Sequence, residues 1–173
     1  MSEIARATSE ISRVTVLTNP KAGHGNAPHA AEVAVARFQQ LGVDVVEVVG
    51  RDAAHARELV DDALVQGTDA LVVVGGDGVI RLALQSLAGK SIPLGIVPAG
   101  TGNDHAREYR LPTSDPVAAV DIIVAGHTET VDLGCIRGRD GSQTWFGTIA
   151  ATGSDSAVRA RANPTTWPTR PRP

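Results

Sequence analysis

The sequence predicts an α/β fold in which helices cover both faces of a parallel sheet. From about residue 13 to residue 98, short runs rich in β-branched residues alternate with longer segments of helical periodicity, which is the pattern of stacked strand–helix–strand units. Residues 70–74 (ALVVV) are continuously apolar, as expected of a strand that is buried on both faces. A loop that contains glycine directly follows three of the predicted strands. Together these observations indicate a Rossmann-like sheet.

Apolar spacing and end signals define the first two strands and helices. Residues 14–18 and 43–49 are predicted strands. The helix between them has Pro28 in its first turn and Gly42 at its end. Its apolar residues are Ala30, Ala34, Phe38 and Leu41. Asp52 is predicted to cap the next helix, and Gly67 to end it. The apolar stripe of that helix consists of Ala56, Leu59, Val60, Ala63 and Leu64.

The same reasoning continues to residue 126 and then changes. Residues 70–74 and 94–97 are predicted strands, with a helix at 79–87 between them. Asp115 and Pro116 open another helix, which Gly126 closes.

Strand-like stretches follow at 129–136 and 143–151. We therefore predict an α/β domain over residues 13–127 and the incomplete start of a β-rich second domain over 128–158. An Arg/Pro-rich tail over 159–173 is expected to be disordered.

Bulk composition excludes several classes of protein. The 173 residues, 42% of them hydrophobic, suit one domain with an apolar core. A net charge of −3 provides no basic face for a nucleic acid. Cys135 is the only cysteine, so no disulfide can form within the chain. Because the N-terminus has no apolar signal segment and the sequence has no apolar run of membrane-spanning length, we expect a cytoplasmic protein.

The first glycine-containing loop follows the first predicted strand. Its glycine would allow the backbone to approach a phosphate closely, and its lysine would supply positive charge. The alternative is an ordinary strand-to-helix turn. The candidate phosphate-contacting residues are Asn19, Pro20, Lys21, Ala22 and Gly23.

The second loop is more specific, because it combines three glycines with one aspartate after a buried strand. Gly75, Gly76 and Gly78 leave room for a triphosphate, and the Asp77 carboxylate would bind or orient its Mg²⁺. The alternative is a tight turn in which Asp77 caps the next helix.

The third loop places several small polar groups in one short stretch. The Thr101 hydroxyl and the Asn103 amide can bond to phosphate, ribose or metal-bound water, and Gly102 and Asp104 flank them. Alternatively, Thr101 or Asn103 caps the helix that follows. His105, next in sequence, is expected to be a solvated residue at the start of that helix. The carboxyl ends of the strands in an open α/β sheet are where ligands bind, so the three loops predict one shared site.

In order and spacing, these loops resemble the three motifs of the diacylglycerol kinase catalytic domain, which sphingosine and ceramide kinases share. The likeness extends over about residues 13–163, and residues 145–147 and 151–155 resemble the start of the family's second domain. The resemblance implies that ATP and Mg²⁺ bind beside the loops and that the γ-phosphate is transferred to a lipid hydroxyl. The lipid would be taken from a membrane surface that the protein contacts peripherally.

The chain departs from the family pattern at two positions and in its extent. Val79 stands where the family usually has threonine, and Arg81 where it often has an acidic or amide residue. Loss of the hydroxyl is expected to weaken phosphate binding by about 0.5–1.5 kcal/mol. The resemblance also implies that the general base and the acidic residues around a structural magnesium lie in a second domain beyond this chain. We therefore expect an incomplete form without a catalytic residue, whose uncovered apolar surface over 131–151 favours homo-oligomers or aggregation.

Three other interpretations remain. NAD kinase shares the GGDG loop and also uses ATP, but residues 98–104 are not expected there in this form. A non-catalytic nucleotide-binding remnant would suit the short chain. A dinucleotide-binding dehydrogenase is disfavoured, since GxGxxG does not follow the first strand.

Overall fold

The computed structural model describes residues 7–8, 10–20 and 25–147. Predictions for Lys21, Ala22 and Gly23, for residues 148–155 and for the 159–173 tail lie outside the described residues. The strands are β1 (Ala7–Thr8), β2 (Arg13–Thr18), β3 (Asp44–Val48), β4 (Ala70–Gly75), β5 (Leu94–Pro98), β6 (His127–Thr128), β7 (Gly134–Arg137) and β8 (Gln143–Phe146). The helices are α1 (Asn26–Gln40), α2 (Ala53–Gln66), α3 (Asp77–Leu87), α4 (Asp104–Glu108) and α5 (Pro116–Val124).

The central sheet has four parallel strands in the order β3-β2-β4-β5. After β2 the chain moves to one side to form β3, and then returns across β2 to form β4 and β5 on the other side. The strand order therefore reverses between β2 and β4. In open α/β sheets, a crevice forms at such a reversal, outside the carboxyl ends of the strands.

Alternating side chains of the strands enter two separate cores. Val14 and Val72 pack with α1 and α5 on one face, whereas Leu17, Leu71 and Val73 pack with α2 and α3 on the other. Every residue of β4 is buried. Because burial of one valine or leucine side chain contributes about 1.5–3 kcal/mol, this strand is a main source of stability. The predicted α/β architecture is confirmed.

The predicted helix ends are also largely confirmed. Asp52 accepts a hydrogen bond from the His55 amide at 2.9 Å, and Asp115 accepts one from the Ala118 amide at 3.0 Å. Pro116 occupies the first turn of α5. Such caps satisfy amides that have no acceptor within the helix.

A carboxylate also joins the starts of two central strands. Asp69, just before β4, accepts hydrogen bonds from the Ser12 amide (2.9 Å), the Ser12 hydroxyl (2.8 Å) and the Arg13 amide (2.8 Å). The backbone amide of Asp69 donates in turn to the Arg13 carbonyl at 2.8 Å. These bonds fix the register of β4 against β2 at the edge opposite the predicted site.

Three predictions about these elements are wrong. Leu41 lies just beyond α1 and is 40% exposed, because the helix ends at Gln40 and the chain turns there through Gly42. Helix α3 begins at Asp77 rather than at 79.

The third wrong prediction is the strand over 129–136. Only its end forms a strand, β7, which begins at Gly134 and pairs with β8. The preceding β6 pairs with β1 instead. Within the described residues, no helix is both long and apolar enough to cross a membrane.

Candidate functional site

The three predicted loops leave the same edge of the sheet. Strands β2, β4 and β5 are parallel neighbours, and their last residues are in register: Thr18 pairs with Val74, and Gly75 with Pro98. The points at which the three loops leave the sheet therefore lie side by side, and those of the first two flank the point where the strand order reverses. The prediction that the three loops leave one edge of the sheet is confirmed.

The second and third loops touch through their backbones. A Cβ atom placed on Gly76 would lie 3.0 Å from the Cα of Gly100. The Ala99 amide also donates to the Gly75 carbonyl at 2.9 Å, which continues the ladder between β4 and β5 by one bond. Glycine at both positions thus allows the two loops to act as one rigid unit.

Asn103 holds the third loop in shape. Its side-chain oxygen accepts from the Gly100 amide, and its side-chain nitrogen donates to the Gly100 carbonyl, both at 2.9 Å. The residue is 6% exposed and has a left-handed backbone with φ of 55°. The Asn103 amide, predicted to face a ligand, is therefore engaged within the loop. Although Asn103 precedes α4, its side chain makes no capping bond to that helix.

Asp77 joins the second loop to the third. One carboxylate oxygen, Oδ2, accepts from the Asp104 amide at 3.1 Å. The other, Oδ1, accepts from the His105 amide at 3.1 Å and lies 2.8 Å from Nδ1 of the His105 ring. Asp77 thus caps α4, a helix 27 residues further along the chain. The alternative that it caps the next helix is wrong, because Gly76 occupies the cap position of α3.

The surroundings of Asp77 favour its ionised form. Burial by itself raises the pKa of the carboxyl group. The His105 ring and the amides of His105 and Asp104 oppose that effect by donating hydrogen bonds, and the net result is a pKa below the usual value. Its side chain remains 33% exposed. Asp77 is therefore a fixed negative charge at the rim of the crevice.

His105 is buried, contrary to the expectation of a solvated residue. It is 5% exposed, and its Nε2 atom is buried without a hydrogen-bond partner among the described residues. The reason is that α4 turns the ring inward against Asp77 and the end of β8. Sequence reasoning missed this pair because Asp77 and His105 are 28 positions apart.

The remaining predicted residues differ in exposure. Asn19 is 3% exposed. By contrast, Pro20, Gly78, Thr101, Gly102 and Asp104 are all exposed. Within the described part of the chain, no group of three or more His, Cys, Asp or Glu side chains is placed to hold a metal ion by itself. A metal at this edge would need ligands from a bound phosphate, from water or from other parts of the protein.

The geometry fits a magnesium triphosphate in two respects. The N-terminus of α3, an 11-residue helix, lies at the crevice, and such a terminus attracts phosphate through amides without helical acceptors. Among the described residues, Oδ1 of Asp77 accepts two hydrogen bonds and Oδ2 accepts one. Oδ2 can therefore still bind a metal ion or a water molecule of that ion.

Val79 does not weaken this fit. It is 2% exposed and belongs to the buried face of α3, in the core that this helix forms with α2 and the sheet. A hydroxyl at this position would face the core rather than the loops, so the expected loss of a phosphate contact is not supported.

Comparison with known proteins agrees with the motifs. The sequence matches the family model described as the diacylglycerol kinase catalytic domain over residues 13–136. A diacylglycerol kinase of Mycobacterium tuberculosis (strain CDC 1551 / Oshkosh) is 61% identical over 159 residues, which are 92% of this chain and 52% of that protein. A diacylglycerol kinase of Staphylococcus saprophyticus is 31% identical over 155 residues, 84% of this chain and 47% of that protein.

A solved structure shows the same fold. The crystal structure of a diacylglycerol kinase from Bacillus anthracis str. Sterne superposes with a TM-score of 0.57 at 26% identity, covering 67% of this chain and 40% of that one. The chain spans about half the length of the curated relatives it matches.

Proposed function

Because the chain belongs to the family of diacylglycerol kinase catalytic domains, we propose that it binds ATP with Mg²⁺ where its three glycine-containing loops meet. The bound nucleotide serves transfer of the γ-phosphate to the hydroxyl group of diacylglycerol, which forms phosphatidic acid. The observation that carries this proposal is that β2, β4 and β5, each followed by one of the loops, end side by side at the strand-order reversal.

Each loop has a distinct part in nucleotide binding. The first amides of α3 and the exposed Gly78 approach the phosphates without side-chain bulk. Thr101 and Gly102 lie exposed on the neighbouring loop, where a Cβ atom on Gly102 would be 3.3 Å from Oδ2 of Asp77. In the first loop, Asn19 to Gly23 are proposed to complete the phosphate contacts. When bound, Mg²⁺ neutralises charge on the phosphate oxygens during transfer.

Asp77 orients the metal complex rather than acting as a base. Its two oxygens already accept three hydrogen bonds from α4, and its lowered pKa makes it a poor proton acceptor. We propose that the base for the lipid hydroxyl comes from the part of the family's sequence that this match does not include. This chain then binds the nucleotide that donates the phosphate.

Nucleotide binding is tested by calorimetry with Mg·ATP on the purified chain. Wild type is expected to bind, and Asp77→Ala is expected to bind at least about tenfold more weakly because a charged, fixed carboxylate is lost. Asp77→Asn retains an oxygen that can cap α4 and so separates loss of charge from loss of the helix. Asp62→Ala, an exposed aspartate on α2, is the matched control and should bind like wild type. Absence of wild-type binding at millimolar ATP would refute the proposal.

The acceptor is tested separately. Two proteins are assayed with labelled ATP: the chain by itself, and the chain fused to the corresponding C-terminal half of the Mycobacterium tuberculosis relative. Diacylglycerol in mixed micelles and NAD are offered as acceptors. Labelled phosphatidic acid from the fusion is expected, and labelling of NAD instead would assign the site to a different kinase.

A further inference from the structure

The buried imidazole of His105 lies between two parts of the chain that are far apart in sequence. On one side, Nδ1 is 2.8 Å from Oδ1 of Asp77. On the other, a Cβ atom placed on Gly147 would lie only 3.0 Å from Nε2. A buried ring nitrogen without a described partner is unfavourable, so some other contact must keep the ring in this place.

We propose that His105 is a positioning residue for the nucleotide site: its ring holds the Asp77 carboxylate in the orientation that Mg·ATP requires. The inference rests on the function proposed above. It adds a role for a side chain that the loop motifs themselves do not explain.

The ring bond is needed because the other two donors to Asp77 are held weakly. Both are backbone amides at the start of α4, which has five residues, and a helix of that length is not stable by itself. The His105 side chain is 6% exposed and is therefore held by its packing. Because His105 itself belongs to the first turn of α4, its packed ring fixes that turn and the Asp77 carboxylate together.

The far side of the ring is also held. Gln85 of α3 accepts from the Trp145 amide at 2.9 Å and donates to the Trp145 carbonyl at 2.8 Å. This pair of bonds fixes the end of β8, so that Gly147 lies against Nε2. The ring is thus clamped between the second loop and the β7–β8 hairpin. Any side chain at 147 would press on it.

The arrangement has a spectroscopic signature. A ring that donates from Nδ1 to a carboxylate carries a proton on Nδ1. Long-range ¹H–¹⁵N correlation spectra of the labelled chain should therefore show Nδ1 of His105 protonated. A ring protonated only on Nε2 would overturn the proposal whether or not ATP binds.

Three substitutions separate the two ring nitrogens. In His105→Asn, the amide nitrogen reaches the position of Nδ1 and can still donate to Asp77. In His105→Gln, the amide reaches only the position of Nε2, and His105→Leu has no donor. We expect Mg·ATP affinity within about threefold of wild type for Asn, and about tenfold weaker binding for Gln and Leu, since a bond to a charged group is lost. His127→Leu, at an exposed histidine of β6, is the control for loss of an imidazole and should bind normally.

The outcomes distinguish this inference from the proposed function. If wild type does not bind Mg·ATP, the proposed function fails. If wild type binds Mg·ATP and all three variants bind it as tightly as wild type, only the positioning role fails. Equal weakening by Asn and Leu would also overturn it, because the bond to Asp77 would then not be the cause. Should the Leu variant not fold, the comparison of Asn with Gln and the tautomer measurement still decide the question.

Discussion

Gly76 and Gly100 face each other so closely that a Cβ atom on Gly100 would lie 2.4 Å from the Cα of Gly76. Neither glycine has a positive φ, so the close approach, and not a special backbone conformation, requires glycine here. The second and third loops are therefore held together by steric fit as well as by hydrogen bonds.

Gly100→Ala should separate the two loops. Overpacking of this kind costs about 1–3 kcal/mol of unfolding free energy, measured by urea denaturation. Gly76→Ala should cost less, because its Cβ would lie at 3.0 Å instead of 2.4 Å from the facing Cα. Equal stability of Gly100→Ala and wild type would show that the loops are not in contact in solution.

Replacement of Asn103 by glycine or by alanine should lower the free energy of unfolding, and alanine should lower it more. Both changes remove the two hydrogen bonds to Gly100, at about 0.5–1.5 kcal/mol each. Alanine also incurs the cost of a left-handed backbone, about 1–2 kcal/mol, whereas glycine does not. Thermal or urea unfolding should therefore rank wild type above Asn103→Gly and Asn103→Gly above Asn103→Ala. Reversal of the two variants would contradict the left-handed conformation.

Asp69 should contribute stability that depends on pH. The amide and the hydroxyl of Ser12, followed by the Arg13 amide, donate to its carboxylate and lower its pKa. The contribution is present above the unfolded-state pKa of about 3.9 and is lost as the pH falls through the lower folded-state value. Stability measured from pH 7 to pH 3 should therefore decrease more steeply for wild type than for Asp69→Asn.

The control for this prediction is Ser12→Ala, which removes only the hydroxyl bond. It should retain part of the acid dependence, since the two backbone amides still donate to Asp69. Parallel pH profiles for wild type and Asp69→Asn would show that this carboxylate is not linked to folding.

Gln85 should hold the β7–β8 hairpin against α3. Gln85→Met retains the side chain's size without its bonds, whereas Gln85→Glu places a carboxylate oxygen against the carbonyls of Trp145 and Arg81. In a Trp167→Phe background, the remaining tryptophan is Trp145, and its emission reports on the hairpin. We expect a red shift for Met and a larger one for Glu. An unchanged spectrum in both variants would mean that the tether does not hold the hairpin.

The local signals in the sequence were sufficient for the four central strands and for the main helices that flank them. The apolar run of β4, the caps at Asp52 and Asp115, and the glycines after α1 and α2 all depend on residues within a few positions of one another. Such signals work because hydrogen bonding at helix ends and side-chain periodicity are short-range properties of the chain. Strand length at 129–136 was overestimated because pairing needs a partner strand, which the pattern alone does not supply.

By itself, the sequence determined that three small-residue loops follow parallel strands, and therefore that they share one edge of a sheet. Only the tertiary structure decided what the polar side chains in those loops do. Asn103 closes its own loop, Val79 enters the core, and Asp77 caps a helix 27 residues away beside a buried His105. The physical reason is that hydrogen bonds and burial depend on distances in space. Asp77 and His105 are 28 positions apart along the chain, and even the local bond of Asn103 depends on the backbone conformation of its loop, which the residue types alone do not specify.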